Sequence, residues 1–283
     1  MIPSDPRTTL ARPDLADVGL EGLVRAARFE AVSPMSCRQA GAAIRRAPDP
    51  SAPLEDQLLF GEAFDVLDER GGWAWGQARR DGYVGFVAME ALASLADAPT
   101  HWVSAVGAFG FSEPDLKSPP VGLYSMNALV RAGETKGRFV HAGAAGWIFQ
   151  EHLALIGAFE TDPIAVAERF LGTPYLWGGR DRLGLDCSGL VQQALYACGR
   201  ACPRDTDQQM DAFPVEADPA ALARGDLVFW PGHVAMLLDG ERILHANAHH
   251  MATAIEPLAG AIARIKAAGV GDPIGYRRPW RSS

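Results

Sequence analysis

Asp186-Cys187-Ser188-Gly189 follows a glycine-rich stretch, Gly178-Gly179-Arg180 to Gly184-Leu185, and opens an apolar run at helical spacing: Leu190, Val191, Ala194, Leu195 and Cys198. The pattern predicts a helix from Cys187 to Cys198 with the Cys187 sulfur at its N-terminus. There the positive end of the macrodipole and the unpaired N–H groups of the first turn favour a thiolate, which lowers a cysteine pKa towards neutrality. The same N–H groups suit the oxyanion of a tetrahedral intermediate. The chemistry such a thiol does is acyl transfer, and it needs a base.

Two of the seven histidines, His233 and His245, lie on a predicted hairpin with Asp239-Gly240 at its turn. A three-residue loop, Asp239-Gly240-Glu241, pairs Leu238 with Arg242 and Ala235 with His245, which sets His233 diagonally beside His245 on one face. A two-residue Asp-Gly turn would put them on opposite faces. The catalytic reading therefore requires an odd loop, with Gly240 free to take positive φ. In it His233 is the general base to Cys187, and His245 orients the His233 imidazole and supports its protonated form. One histidine on a strand is ordinarily structural. A matched pair beside a cysteine at a helix start points to chemistry.

The elements that position these residues are legible in outline. Residues 1–28 are a proline-marked arm. From 29 to 95, short runs at Glu62 to Leu67, Trp73 to Arg79 and Tyr83 to Ala88, split by Glu69-Arg70-Gly71-Gly72 and Arg80-Asp81-Gly82, read as a small β-barrel. Residues 96–157 repeat the plan: Phe60-Gly61-Glu62, Gly72 and Gly82-Tyr83-Val84 are echoed by Tyr124, Gly137 and Gly146-Trp147-Ile148. Within 158–283, Asp162 caps a helix with Pro163 at its first position and an apolar stripe Ile164, Val166, Ala167, Phe170 and Leu171, ended by Gly172. Strand patterns follow at Asp226 to Trp230, Val234 to Leu238 and Arg242 to Ala246. Helices first and an antiparallel sheet afterwards predict an α+β domain.

Composition bounds the function. Acidic residues exceed basic ones, 34 to 26, so a polyanion is repelled at long range and nucleic acid is not an expected partner. The longest mostly apolar stretch, Trp102 to Phe111, is about half of the roughly 20 residues a membrane span needs. With no apolar run behind Met1-Ile2-Pro3-Ser4-Asp5-Pro6-Arg7, the expectation is a soluble cytoplasmic protein whose four cysteines are free thiols. Cys198 reads as core filling.

Six motifs occur in order: Gly172-Thr173-Pro174-Tyr175-Leu176-Trp177-Gly178-Gly179, Asp186-Cys187-Ser188-Gly189-Leu190-Val191, Pro203-Arg204-Asp205-Thr206-Asp207-Gln208-Gln209, Gly225-Asp226-Leu227-Val228-Phe229-Trp230, His233-Val234-Ala235 and His245-Ala246. Together they resemble the NlpC-type, papain-like cysteine peptidases over residues 160–280. The ending Gly82-Tyr83-Val84-Gly85-Phe86-Val87 resembles a bacterial SH3-like domain, and two such barrels resemble the murein-peptide-recycling branch. The resemblance implies a γ-D-glutamyl-L-diamino acid endopeptidase, or dipeptidyl-peptidase. It would cut murein tri- or tetrapeptides between γ-D-glutamate and meso-diaminopimelate or lysine, without a cofactor or metal. By the same resemblance Cys187, His233 and His245 are catalytic, Tyr175 lines the site and supports the oxyanion, and Trp177 walls the pocket beside Asp186 and Ser188. Asp205 and Thr206 stand where the branch has Asp-Ser to bind the free amine of L-Ala, with Thr adding a methyl; Tyr83, and less cleanly Glu55, are the barrel contributions. Asp205 also reads as a helix cap.

Three other readings compete. His245, His249 and His250 with His233 and Cys187 suggest zinc, but no helical zinc spacing is present, and consecutive histidines on a strand would point apart. A chelator set against an alkylating agent separates the two. A wall-fragment-binding protein with a degenerate peptidase domain conflicts with three filled catalytic positions. A same-fold Cys-His amidase or acyltransferase acting on lipid would have no use for the Asp205-Thr206 pair.

Overall fold

The structure is a computed structural model that describes residues 5–95 and 97–279. Met1 to Ser4 of the expected arm, Ala96 at the expected barrel boundary and residues 280–283 of the last domain lie outside the described residues. The chain divides into two compact units, at Ala158/Phe159.

In the first unit seven antiparallel strands form one sheet, in the order Leu54–Leu59, Gly41–Arg45, Val84–Ala88, Trp73–Ala78, Ala63–Arg70, Ser33–Cys37, Leu92–Ser94. Alternation drives it: Phe64 and Val66 point inward with Ile44, Leu58 and Val87, while the residues between them face outward. The expected run 62–67 is a longer strand. Arg70 pairs with Trp73, and Gly71 and Gly72 both take positive φ, as a two-residue turn of the hairpin type requires. The strands Ser33–Cys37, Gly41–Arg45 and Leu54–Leu59 were not legible, because Gly41-Ala42-Ala43 and Pro34 carry little strand preference. The arm packs on this sheet: Leu10 and Leu15 are buried against Leu67 and Trp75, and Arg12 pairs with Asp68 at 2.6 Å.

Residues 101–155 form a three-stranded sheet (Leu129–Val130, His101–Val103, Leu153–Leu155) and a five-stranded one (Pro120–Ser125, Gly107–Phe111, Trp147–Phe149, Phe139–His141, Thr135–Lys136). Leu59 and Phe60 enter their core, with Phe60 edge-on to Tyr124 at 4.9 Å. The apolar stretch 102–111 is thus two strands. Among the described residues no helix is long and apolar enough to cross a membrane.

The second unit opens with α1, Pro163–Glu168, whose cap Asp162 accepts from the Ile164 N–H at 2.8 Å. The expected stripe overran the helix: α1 ends at Glu168 and Leu171 is exposed. Next comes α2, Cys187–Ala197, every residue of which is buried. Each buried aliphatic such as Leu190, Val191 and Leu195 contributes roughly 1.5–3 kcal/mol, and a helix covered on all sides is a core element. The half-buried Cys198 is its C-cap. A short helix α3, Thr206–Ala212, leads to an antiparallel sheet ordered Ala252–Pro257, Arg242–Asn247, His233–Leu237, Leu227–Trp230, Gly275–Arg277. Helix α4, Leu258–Ala267, packs Leu258, Ala261 and Ile265 onto Val228, Trp230, Ala235, Leu237 and Ile243. Helix α2 packs on the same sheet. Cys187 and Cys198 are free thiols.

Candidate active site

Cys187 is the first residue of α2, and the sequence around it is constrained from several sides. Asp186, the N-cap, accepts from the Gly189 N–H at 2.7 Å and the Gly178 N–H at 2.9 Å. Arg204 closes on the same carboxylate, Nη1 at 3.0 Å and Nη2 at 2.5 Å, and also donates to Ser188 Oγ at 2.7 Å. Gln209 Nε2 donates to the carbonyls of Ser188 (3.0 Å) and Pro203 (2.9 Å), tying α3 to this knot. A Cβ on Gly189 would stand 2.3 Å from the Gly179 carbonyl oxygen, so only glycine lets the loop lie against the helix start.

Asp186 and Ser188, expected to contact substrate, are 7 % and 4 % exposed, and their side chains are taken up by this internal network. A capping carboxylate is worth more turned inward on two N–H groups and a guanidinium than towards solvent. What the structure gives both residues is the support of the loop and helix start that carry Cys187.

The hairpin has the odd loop. Met236 pairs with Leu244, Leu237 with Ile243, and the Leu238 N–H donates to the Arg242 carbonyl at 2.9 Å. His233 Nε2 lies 2.8 Å from His245 Nδ1, with the rings 5.0 Å apart. Gly240 does not take the expected positive φ; instead Asp239 Oδ1 accepts from the N–H groups of Glu241 (2.9 Å) and Arg242 (2.8 Å) and closes the loop itself. His249 and His250 fall in the turn after Asn247, not on the strand, and the His250 N–H donates to Asn247 Oδ1 at 2.9 Å. The next strand brings an acceptor: Glu256 Oε1 lies 2.8 Å from His245 Nε2 and pairs with Arg264 of α4.

The electrostatics differ from the expectation for a helix start. Burial, reinforced by the Asp186 charge, pushes the Cys187 thiol up to about 12, against the opposing pull of the Val234 and Ser188 N–H groups and Arg204. For a sulfur on a residue only 6 % exposed, desolvation outweighs the macrodipole. Burial likewise lowers His233 to about 3, helped by His245 and Arg264, and lowers His245 to about 3, helped by Arg264, His250 and His249. Burial thus favours the uncharged form of the thiol and of both imidazoles. The Val234 N–H that meets the sulfur belongs to the residue after His233, which brings the helix start to the beginning of the His233 strand.

Tyr175 is half-buried, its N–H bonded to the Met251 carbonyl at 2.9 Å, and the next residue ties back to the Leu185 carbonyl through the Leu176 N–H at 3.0 Å. Burial, then Cys187 and Asp186, raise its phenol, which stays a donor. Trp177 is 62 % exposed. Asp205 caps α3 in a reciprocal box with Gln208, and Asp205 and Thr206 are both half-buried. Tyr83 is 4 % exposed inside the first sheet's core, and Glu55 pairs with Arg46 at 2.6 Å.

Arg204, Gln209, Glu256 and Arg264 carry parts of the site that the sequence did not reveal. Glu256 pairs in register with Ile243, which makes it diagonal to His245 on the same face; reading a second hairpin from 247 to 252 would have exposed it. His245, His250 and Glu256 offer ligand atoms within 4.8 Å of one another. A metal there would have to displace both the His245 bond and the Arg264 pair from Glu256, so the donor set fits a metal poorly.

Residues 172–269 match the NlpC/P60 family and residues 44–92 match the bacterial dipeptidyl-peptidase SH3 domain. Over 116 residues the chain is 35 % identical to dipeptidyl-peptidase 6 of Lysinibacillus sphaericus, a match that spans 41 % of each protein. It is 28 % identical to the γ-D-glutamyl-L-lysine dipeptidyl-peptidase of Bacillus subtilis over 222 residues, 68 % of this chain and 72 % of that protein. The crystal structure of an NlpC/P60 family protein from Bacillus cereus superposes with a TM-score of 0.75 at 21 % identity, over 88 % of this chain and 100 % of that one, and so shares its fold.

Proposed function

From a chain that carries an NlpC/P60 cysteine-peptidase domain behind a bacterial SH3 domain, we propose an enzyme that hydrolyses the amide between γ-D-glutamate and a diamino acid in peptidoglycan-derived peptides with a free N-terminal L-Ala. The observation that carries this reading is the enclosed Cys187 at the start of α2, met by the N–H of the residue after His233, with His233 bonded to His245. In the proposed reaction Cys187 Sγ adds to the γ-carbonyl carbon as its proton passes to His233. The oxyanion takes hydrogen bonds from N–H groups at the start of α2 and from the Tyr175 phenol. The C–N bond then breaks, and His233 returns the proton to the departing amine. Water, deprotonated by the same imidazole, cleaves the thioester and releases L-Ala-γ-D-Glu.

Asp205 and Thr206 supply a carboxylate and a hydroxyl for the substrate ammonium. The role this implies is trimming of released wall peptides, with residues 96–157 acting as a second SH3-like barrel. The test is incubation with L-Ala-γ-D-Glu-meso-diaminopimelate and its N-acetyl form, read by mass spectrometry. The free tripeptide should yield L-Ala-γ-D-Glu, and acetylation should lower kcat/KM by about a hundredfold or more. Equal cleavage of both would remove the amine pocket, and cleavage of neither would remove the substrate.

A further inference from the structure

We propose that Glu256, pinned by Arg264, is a positioning residue that fixes the tautomers of both histidines and thereby makes Nδ1 the basic atom of His233. An ionised carboxylate only accepts, so His245 Nε2, 2.8 Å from Glu256 Oε1, carries the proton. A neutral imidazole has one N–H, which leaves His245 Nδ1 as an acceptor. His233 Nε2, 2.8 Å from that atom, must then donate. What remains on His233 is an unprotonated Nδ1, the lone pair a thiol proton needs.

Burial keeps both rings neutral, so the chain of donors has one consistent direction. The charged and titratable groups around the pair are Arg264 from α4, His249 and His250 from the turn after Asn247, Glu256 from the edge strand and Asp186 before α2. The Trp230 ring lies 5.7 Å from His233. Arg264 Nη2 shares Oε1 of Glu256 with His245, so the carboxylate is held in the orientation the relay uses. When His233 takes a proton, the charge of Glu256 favours the imidazolium.

Removing the acceptor should reverse the relay. In Glu256→Leu the Arg264 guanidinium becomes the neighbour able to donate to His245 Nε2, which moves the His245 proton to Nδ1 and, through it, the His233 proton to Nδ1. The base is then lost. Glu256→Gln keeps an oxygen in place for both donors and should preserve the direction.

The experiment is nitrogen-15 NMR of the imidazoles in the resting protein, with steady-state kinetics on the tripeptide across pH. The turnover arm rests on the peptidase reading, whereas the tautomers are read without substrate, so the two can fail separately. Wild-type protein and Glu256→Gln should show Nε2–H tautomers on both histidines, with kcat within about tenfold of each other. Glu256→Leu should show Nδ1–H, with kcat down about a hundredfold or more at nearly unchanged KM, in the range of a lost general base. A shifted acidic limb in the Glu256→Gln pH profile, towards lower pH, is expected from losing the charge that supports the imidazolium. An Nδ1–H tautomer on His245 in the wild type overturns the proposal, as does a folded Glu256→Leu that keeps both tautomers and kcat. Should that variant not fold, the wild-type and Glu256→Gln spectra still decide.

Discussion

Cys187→Ala is expected to reduce hydrolysis of the tripeptide by about 10⁴-fold or more, the scale on which removal of an enzymic nucleophile is felt, while the protein stays folded. Both halves follow from position. The sulfur is the atom at the start of α2 that the Val234 and Ser188 N–H groups approach, and no other described cysteine stands there: Cys37 is in the first sheet's core, Cys198 caps the far end of α2, and Cys202 is buried on the segment before Arg204. Alanine removes one atom from a well-formed helix start, whose capping bonds run through Asp186 and Gly189 and not through the thiol. Unfolding in urea should therefore shift by about 1 kcal/mol or less. A variant that keeps more than about one per cent of wild-type turnover removes the covalent mechanism. A variant that loses its fold assigns the thiol a structural role it does not have here.

Arg204→Met is expected to cost about 3–5 kcal/mol of stability, the price of leaving a buried carboxylate without its partner. The Arg204 and Asp186 side chains are 1 % and 9 % exposed, so water cannot replace the guanidinium. The loss is local in origin: Asp186 holds the Gly178 and Gly189 N–H groups, and with them the loop that delivers Cys187 to the helix start. Denaturant midpoints for Arg204→Met, Asp186→Leu and the double variant measure the coupling. The double variant should be less destabilised than the sum of the singles, because it removes both charges together. Additive effects, or a single-variant cost below about 1 kcal/mol, would contradict a structural knot at this point. Turnover should fall alongside stability, since the sulfur's position depends on the knot.

The sequence reveals local features whose cause is local. Asp162-Pro163 starts a helix because a capping carboxylate and a residue without an N–H both suit that position, and the structure has that cap. The parity of the His233–His245 hairpin follows from the twofold period of a strand once the loop length is counted, and the observed pairing has that parity. What closes the loop was misread, because an Asx-type turn through Asp239 removes the need for positive φ at Gly240. The thiol's ionisation was also misread. A helix N-terminus is visible in a string of letters, whereas how deeply the fold buries its first side chain is not, and burial decides the sign here. Glu256 and Arg264 were invisible for a related reason: the strand Ala252–Pro257 and α4 are rich in alanine and isoleucine with few charges, and only their packing on the sheet brings a carboxylate to His245. Asp186 and Ser188 read as site residues because they flank Cys187, and their side chains turn inward because Arg204 draws them there.

Passage of the proposed reaction through a thioester on Cys187 is open to a trapping experiment with hydroxylamine. A thioester partitions between water and an added nucleophile, so turnover of L-Ala-γ-D-Glu-meso-diaminopimelate in hydroxylamine should accumulate the dipeptide γ-hydroxamate in proportion to hydroxylamine concentration. Cys187→Ala should form none. Turnover of the tripeptide with no hydroxamate, or hydroxamate formation by the alanine variant, would contradict a thioester on Cys187.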